Sequence, residues 1–298
     1  MNPHPYRDFA DFLACHFTGK MQKLTVDGGF TCPNRDGTLG RDGCIYCSNR
    51  SFTPSYCRSS KSVTEQIETG KRFFARKYPS MRYLAYFQSF TGTYADSSRL
   101  IDLYSEAIAV DGVDGLIIGT RPDCLNPDLL RWLSELAATT FVMIEFGAET
   151  SHDVTLQRIN RCHTWQAVVD AVQATDRAGI CTGLHLINGL PGENEEMMMQ
   201  TVDAVNRLPV DVVKFHQLQV VRGTPLARLW EAGQADIISW TAKEYAALCS
   251  RIVRRLRPDI AIDRFVSQSP DELLLTPRWG LKNHEFTALV IKDLSHDT

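Results

Sequence analysis

Three thiols are the residues of this 298-residue chain best suited to chemistry: Cys32, Cys44 and Cys47, spaced C-x11-C-x2-C. Three thiolates are one donor short of closing a four-iron cube, in which each iron takes one ligand. The remaining iron can be chelated by a small molecule and can pass it one electron. Cys44 and Cys47 are close enough for one tight turn to aim both sulfurs the same way. The spacer carries turn formers at Asn34, Asp36, Gly37, Gly40, Asp42 and Gly43. Tyr46 sets a flat ring beside the last cysteine, next to whatever the open iron holds. Two other readings of the same thiols remain. Cys57 would complete a four-cysteine tetrahedral zinc site, and cysteines also serve as small buried hydrophobes. The spacing alone admits all three.

Such thiols need a frame. Strands are expected at Lys23–Asp27, Tyr83–Phe90, Gly115–Thr120, Phe141–Gly147, Thr182–Gly189 and Val212–Val221. Helical patterns fall between them, at Ser62–Lys77, Ser97–Ala109, Pro127–Ala137, Trp165–Ala178 and Asn194–Leu208. Runs such as Leu116-Ile117-Ile118 and Phe141-Val142-Met143-Ile144 are apolar without alternation, which suits parallel strands covered on both faces. The expected fold class is α/β, a partial (β/α)6 parallel barrel over residues 21–230. An N-terminal segment (1–20) precedes it. A C-terminal extension (231–298) follows, with helices and a last strand near Ile260–Val266. Ligands of such sheets gather at the carboxyl ends of the strands. The cysteine stretch follows the first strand and therefore falls at that end.

The cysteine pattern resembles the signature of the radical S-adenosylmethionine (radical SAM) enzymes. Most of that superfamily has three residues in the first gap. The eleven found here resemble a bacterial branch allied to the catalytic subunit of the elongator complex. Further strand ends carry the resemblance. Gln88 and Ser89 stand in place of a Gly-Gly-Glu-type segment that holds the methionine amino group; otherwise they are a polar strand exit. Thr120-Arg121-Pro122-Asp123 is similar to an elongator-type string, with Arg121 able to approach a carboxylate or to pair with Asp123. Glu145-Phe146-Gly147-Ala148-Glu149-Thr150-Ser151 and Asn160-Arg161-Cys162-His163-Thr164 resemble E-x-G-x-Q-S and N-R-G-H-T. Glu149 stands where Gln is usual, and Cys162 where Gly is usual. The resemblance places Glu149 on the ribose hydroxyls or the methionine moiety, and Arg161 on the methionine carboxylate. A helix-end salt bridge is the plainer reading of Arg161. The stretch from Gly183 to Glu193, ending Gly189-Leu190-Pro191-Gly192-Glu193, is similar to coproporphyrinogen-oxidase-like and elongator-like branches. There Leu186 and Gly189 are candidates to receive adenine on open backbone. Lys214 and His216 are polar positions in an apolar strand, and a single histidine there reads as core. Trp279, between Arg278 and Lys282, suits either base stacking or domain docking.

The resemblance implies a [4Fe-4S] cluster on Cys32, Cys44 and Cys47, bound S-adenosylmethionine, and a one-electron reductant such as flavodoxin or ferredoxin. It also implies tRNA as substrate, because the bacterial family is implicated in converting a carboxymethylaminomethyl group on wobble uridine to aminomethyl. A second hypothesis keeps the radical chemistry but takes a small metabolite or porphyrin-like substrate. A third is a zinc-stabilised β/α binding module without catalysis. No acetyltransferase-like domain is evident, so that part of the elongator subunit's chemistry is not expected. Composition is that of a soluble enzyme, 44% hydrophobic and 22% charged. No apolar run suits a membrane span and no signal peptide is visible, so a cytoplasmic location is expected. Nine cysteines then read as metal or packing residues rather than disulfides. A net charge of −3 gives no global attraction to nucleic acid. Local basic clusters at Lys71, Arg72, Arg76 and Lys77, and at Arg251, Arg254, Arg255 and Arg257, read first as solvated helix faces.

Overall fold

A computed structural model describes residues 4–49, 53–54, 56–75 and 81–296. Six parallel strands appear close to the expected positions: β1 (Met21–Val26), β2 (Arg82–Phe87), β3 (Val113–Thr120), β4 (Phe141–Glu149), β5 (Cys181–Asn188) and β6 (Val212–Gln217). The helices between them are α2 (Val63–Ala75), α3 (Ser97–Ala109), α4 (Pro127–Ala137), α5 (Asp153–Arg158), α6 (Trp165–Arg177) and α7 (Glu195–Val205). Arg76 and Lys77, expected at the end of α2, lie outside the described residues. Most helices start on a side-chain cap; Asp96, Asn126 and Asn194 each accept from a backbone amide of the first turn.

The expected sixth strand is divided. Leu218 still donates its amide to Asn188 O at the end of the β5 pairing, and beyond it Gln219 sends its side chain to Ser267 O as the chain leaves the sheet. A short β7 (Val220–Val221) pairs antiparallel with β9 (Leu274–Thr276). The late strand is β8 (Ala261–Arg264), and it joins β6 in parallel, giving the order β1-β2-β3-β4-β5-β6-β8. The curled sheet thus holds seven strands, one more than expected. Helices α8 (Pro225–Glu231), α9 (Ala242–Arg255) and α10 (Asn283–His296) complete the chain, with α10 packed on α9.

Strand side chains alternate between two faces. Leu24, Ala85, Leu116, Ile118, Val142, Ile144, Leu184, Leu186, Val213 and Phe215 belong to one large core shared with the helices. The other face forms layers inside the curl. Its lowest layer is apolar: Leu84, Ile117, Met143, Val212 and Ala261 pack against Phe12 and Leu13 of α1 (Phe9–Ala14). This helix opens on an Asp8–Asp11 capping box and covers the end where the strands begin. Two residues further along β2, β4, β6 and β8, the inner face becomes polar, at Tyr86, Glu145, Lys214 and Asp263.

Candidate functional site

The stretch after β1 is held by neighbours distant in sequence. Asn34 Nδ2 donates to Asn160 O (2.5 Å), Asn160 Nδ2 to Gly43 O (2.8 Å), and Ile45 N to Ile159 O (3.1 Å). On the other side Leu226 N donates to Ile45 O at 2.8 Å. The result is a cysteine loop clamped between the end of α5 and the start of α8. Asn160 and Cys162 sit at φ 55° and 59°. These left-handed positions favour glycine, which gives a physical reason for the Gly usual at position 162. Cys162 turns its thiol to Asn34 Oδ1 (3.3 Å).

Cys32, Cys44 and Cys47 line one cavity of about 450 Å3, together with Tyr46, Gln88, Glu149 and Arg161. Three cations surround the thiols. Arg161 Nη1 is 3.7 Å from Cys44 Sγ, Arg35 Nη2 donates to Cys47 O at 3.0 Å, and Arg121 stands on the same wall. Arg161 also donates Nη2 to Gly147 O (2.6 Å) and pairs with Glu149 at 3.3 Å. A Cβ on Gly147 would stand 2.4 Å from that Nη2, so glycine is what admits the guanidinium. Burial pushes the Glu149 carboxyl up, and Arg161 restrains the rise. Arg121 does pair with Asp123, through Nε and Nη2 at 2.9 and 2.8 Å. Yet Arg121 Nη1, Arg161 Nε and Thr91 Oγ1 are buried without a partner on the cavity wall. Unpaired buried donors are costly; here they face a space for an anionic ligand.

Other expected residues are placed differently. Ser89 is buried with its hydroxyl unpartnered, outside the cavity lining. Leu186 turns its side chain to the helix-side core. Gly189 has φ 82°, and the close approach it permits is that of the Trp240 ring, 2.6 Å from a would-be Cβ. Cys57 donates its thiol to Thr25 O at 2.9 Å, with burial pushing it up to about 12. It does not share the wall of the three cysteines, so this geometry offers nothing for a four-cysteine zinc site. Among the described residues, no three His, Cys, Asp or Glu side chains are gathered to hold a single metal ion. Trp279 is a docking residue: its indole donates to Trp240 O (3.0 Å) and stacks on Phe286. Arg251, Arg255 and Arg257 pair with Glu195, Asp203 and Asp259, as a solvated helix face does.

The cavity floor went unrecognised in the sequence. Glu145 Oε2 accepts from Tyr86 (2.6 Å), Lys214 (2.7 Å) and His185 (2.8 Å), and its Oε1 from Lys23 (3.1 Å). Asp263 accepts from Lys23 at 2.8 Å and pairs with Lys214 at 3.2 Å. Burial opposes the charge on Glu145, but Lys214, Lys23 and His185 outweigh it and hold the carboxyl well below its usual range. Burial, with Lys214 adding to it, lowers His185 to about 4. The available signal was a single polar residue interrupting each of several apolar strands.

A family model described as "Radical SAM superfamily" matches residues 32–205, and one described as "Radical_SAM C-terminal domain" matches 210–296. The chain belongs to the radical SAM superfamily. That superfamily uses a [4Fe-4S] cluster and S-adenosylmethionine, and this chain is an enzyme of the radical SAM class. YtqA of Bacillus subtilis (strain 168) is 34% identical over 302 residues, 99% of this chain and 93% of that one. The tRNA uridine(34) acetyltransferase of Methanocaldococcus jannaschii is 30% identical over 122 residues, 40% of this chain and 22% of the other. The radical SAM fold here is similar to that of archaeal Elp3 from Methanocaldococcus infernus, with TM-score 0.66 and 18% identity, over 94% of this chain and 63% of that one. The wall of the cavity fits the superfamily's cofactors: three thiols, cations beside them, and unpaired donors for a carboxylate.

Proposed function

We propose that this radical SAM enzyme acts on wobble uridine of tRNA, converting a carboxymethylaminomethyl substituent to aminomethyl. The observation that carries the reading is the 122-residue likeness to a tRNA uridine(34)-modifying enzyme. The cavity supports it. Gln217, Gln219, Gln268, Asn283, Ser267 and Ser269 contribute to its wall. Amide and hydroxyl groups match the edges of a nucleobase better than a porphyrin-like substrate, which needs an apolar slot.

In this reading Cys32, Cys44 and Cys47 hold the cluster. Arg161 and Arg121 offer their unpaired nitrogens to the methionine carboxylate of S-adenosylmethionine, Gln88 receives its amino group, and Glu149 takes the ribose hydroxyls. Tyr46 flanks the same wall. When bound, cluster and S-adenosylmethionine supply a 5′-deoxyadenosyl radical able to take an unactivated hydrogen. The protein's part is to orient the substrate and to keep water away. A flavodoxin or ferredoxin in the cytoplasm would provide the electron.

Protein reconstituted anaerobically with iron and sulfide, then given dithionite and S-adenosylmethionine, should release 5′-deoxyadenosine, and bulk tRNA should raise the yield. Digested tRNA should show aminomethyluridine replacing carboxymethylaminomethyluridine. Cys44→Ala should fall to background. Release that ignores tRNA, with its nucleosides unchanged, would leave the radical chemistry standing and remove tRNA as the substrate.

A further inference from the structure

The charges of the cavity floor do not balance. Glu145 and Asp263 provide carboxylates, and Lys23 and Lys214 are both paired to them. Arg264, the last residue of β8, is a further cation on the cavity wall. Its backbone pairs with β6, but among the described residues its side chain makes no hydrogen bond or close ion pair, Asp263 acting on it only at longer range, and its Nε is buried without a partner. Beside it, His216 turns Nδ1 to the Ser267 hydroxyl and leaves Nε2 buried and unpartnered on the same wall. Burial, Arg264 and His185 hold that imidazole neutral. A Ser267 hydroxyl that donates to Nδ1 leaves the ring proton on Nε2, making it a donor at the cavity wall.

Arg264 is half-buried and shares the field of Asp263 with two lysines already paired to that carboxylate, and the forked donors of a guanidinium match a planar carboxylate. We infer that Arg264 and His216 form a subsite for a carboxylate of the substrate, on the wall built by β6 and β8. This wall is separate from the donors beside the cysteines, where Arg161 and Arg121 stand on the β3 and β4 side. The inference rests on the tRNA reading for its natural ligand. A carboxymethylaminomethyl group ends in one carboxylate, and anchoring it fixes the position of the C–H bonds beside that carboxylate.

The test uses iron-loaded protein under anaerobic conditions. Anticodon stem-loop RNAs carrying carboxymethylaminomethyluridine, or its methyl ester, are titrated by fluorescence anisotropy. Wild-type protein should bind the acid about 10- to 100-fold more tightly than the ester, as a charge-assisted contact implies. Arg264→Gln, shown to be folded by circular dichroism, should bind the two alike, and Arg264→Lys should recover part of the preference. Equal binding of acid and ester by wild-type protein overturns the subsite, without recourse to any variant. An equal loss for both RNAs in Arg264→Gln also overturns it, and assigns Arg264 to a backbone phosphate. If neither RNA binds, the tRNA reading fails on its own, and N-benzylglycine and its methyl ester replace the RNAs. A preference for the free acid that Arg264→Gln abolishes then supports the carboxylate subsite, and no preference rejects it.

Discussion

Gly147 positions a cation by lacking a side chain. The Arg161 guanidinium occupies the place of its Cβ and donates to its carbonyl. In Gly147→Ala the methyl meets the side-chain ends of Arg161 and Glu149 rather than backbone, so the guanidinium and the carboxylate should shift while the strand stays. We expect thermal stability within about 1 kcal/mol of wild type, but S-adenosylmethionine affinity about tenfold weaker by equilibrium dialysis, the loss of one charge-assisted contact. Unchanged affinity would remove Arg161 from the proposed carboxylate site. Glu149 and Cys162 show the same economy of backbone shape. Both sit at positive φ, 66° and 59°, in the two strings where this chain departs from the usual residues.

Among the elements, α1 has the clearest separable task. Phe12 is 2% exposed within the inner apolar layer and its ring contacts His16 and Phe141. Phe12→Ala should cost about 3–5 kcal/mol, read as a lower urea midpoint. A cost under about 1 kcal/mol would show that the helix merely rests on the barrel. The main strands and helices were legible in the sequence because burial on both faces writes continuous apolar runs between capped helices. Helix α1 was not, since six residues are too few for a clear period. The cysteine loop was legible from spacing and turn formers. The floor was not, because Lys23, Tyr86, Glu145, His185, Lys214 and Asp263 come from six different strands, and only the register brings them together. Arg264 stands out for a related reason only in the fold: whether a close carboxylate pairs with a cation is visible in three dimensions and not in the sequence.

At the scale of the whole molecule, the inner polar layer links acidity to stability. His185 is neutral when folded, with its value lowered from 6.5 to about 4. The unfolded chain takes up that proton first, so stability is complete above about pH 6.5 and falls as pH drops toward 4. The depression corresponds to on the order of 3 kcal/mol. His216, lowered well below its usual range by burial and Arg264, acts in the same direction. Urea midpoints of the iron-loaded protein should therefore decline already between about pH 6.5 and 5, before the carboxylates titrate, and His185→Gln should flatten that decline. A midpoint constant down to about pH 4.5 would show that the histidines are not held neutral.

The pair Lys23–Asp263 joins the first and last strands of the sheet across 240 positions. The clamp on the cysteine loop has a milder version of the same reach, since Asn34 and Asn160 are 126 positions apart. During synthesis the three thiols therefore leave the ribosome well before Asn160 and Arg161, and longer still before Asp263. In that interval the nascent chain can pair β1 with β2 and β2 with β3, but its thiols remain open to solvent, oxidants and stray metal ions. The clamped shape of the cysteine loop is therefore reached late, only after the chain that carries Asn160 has been made.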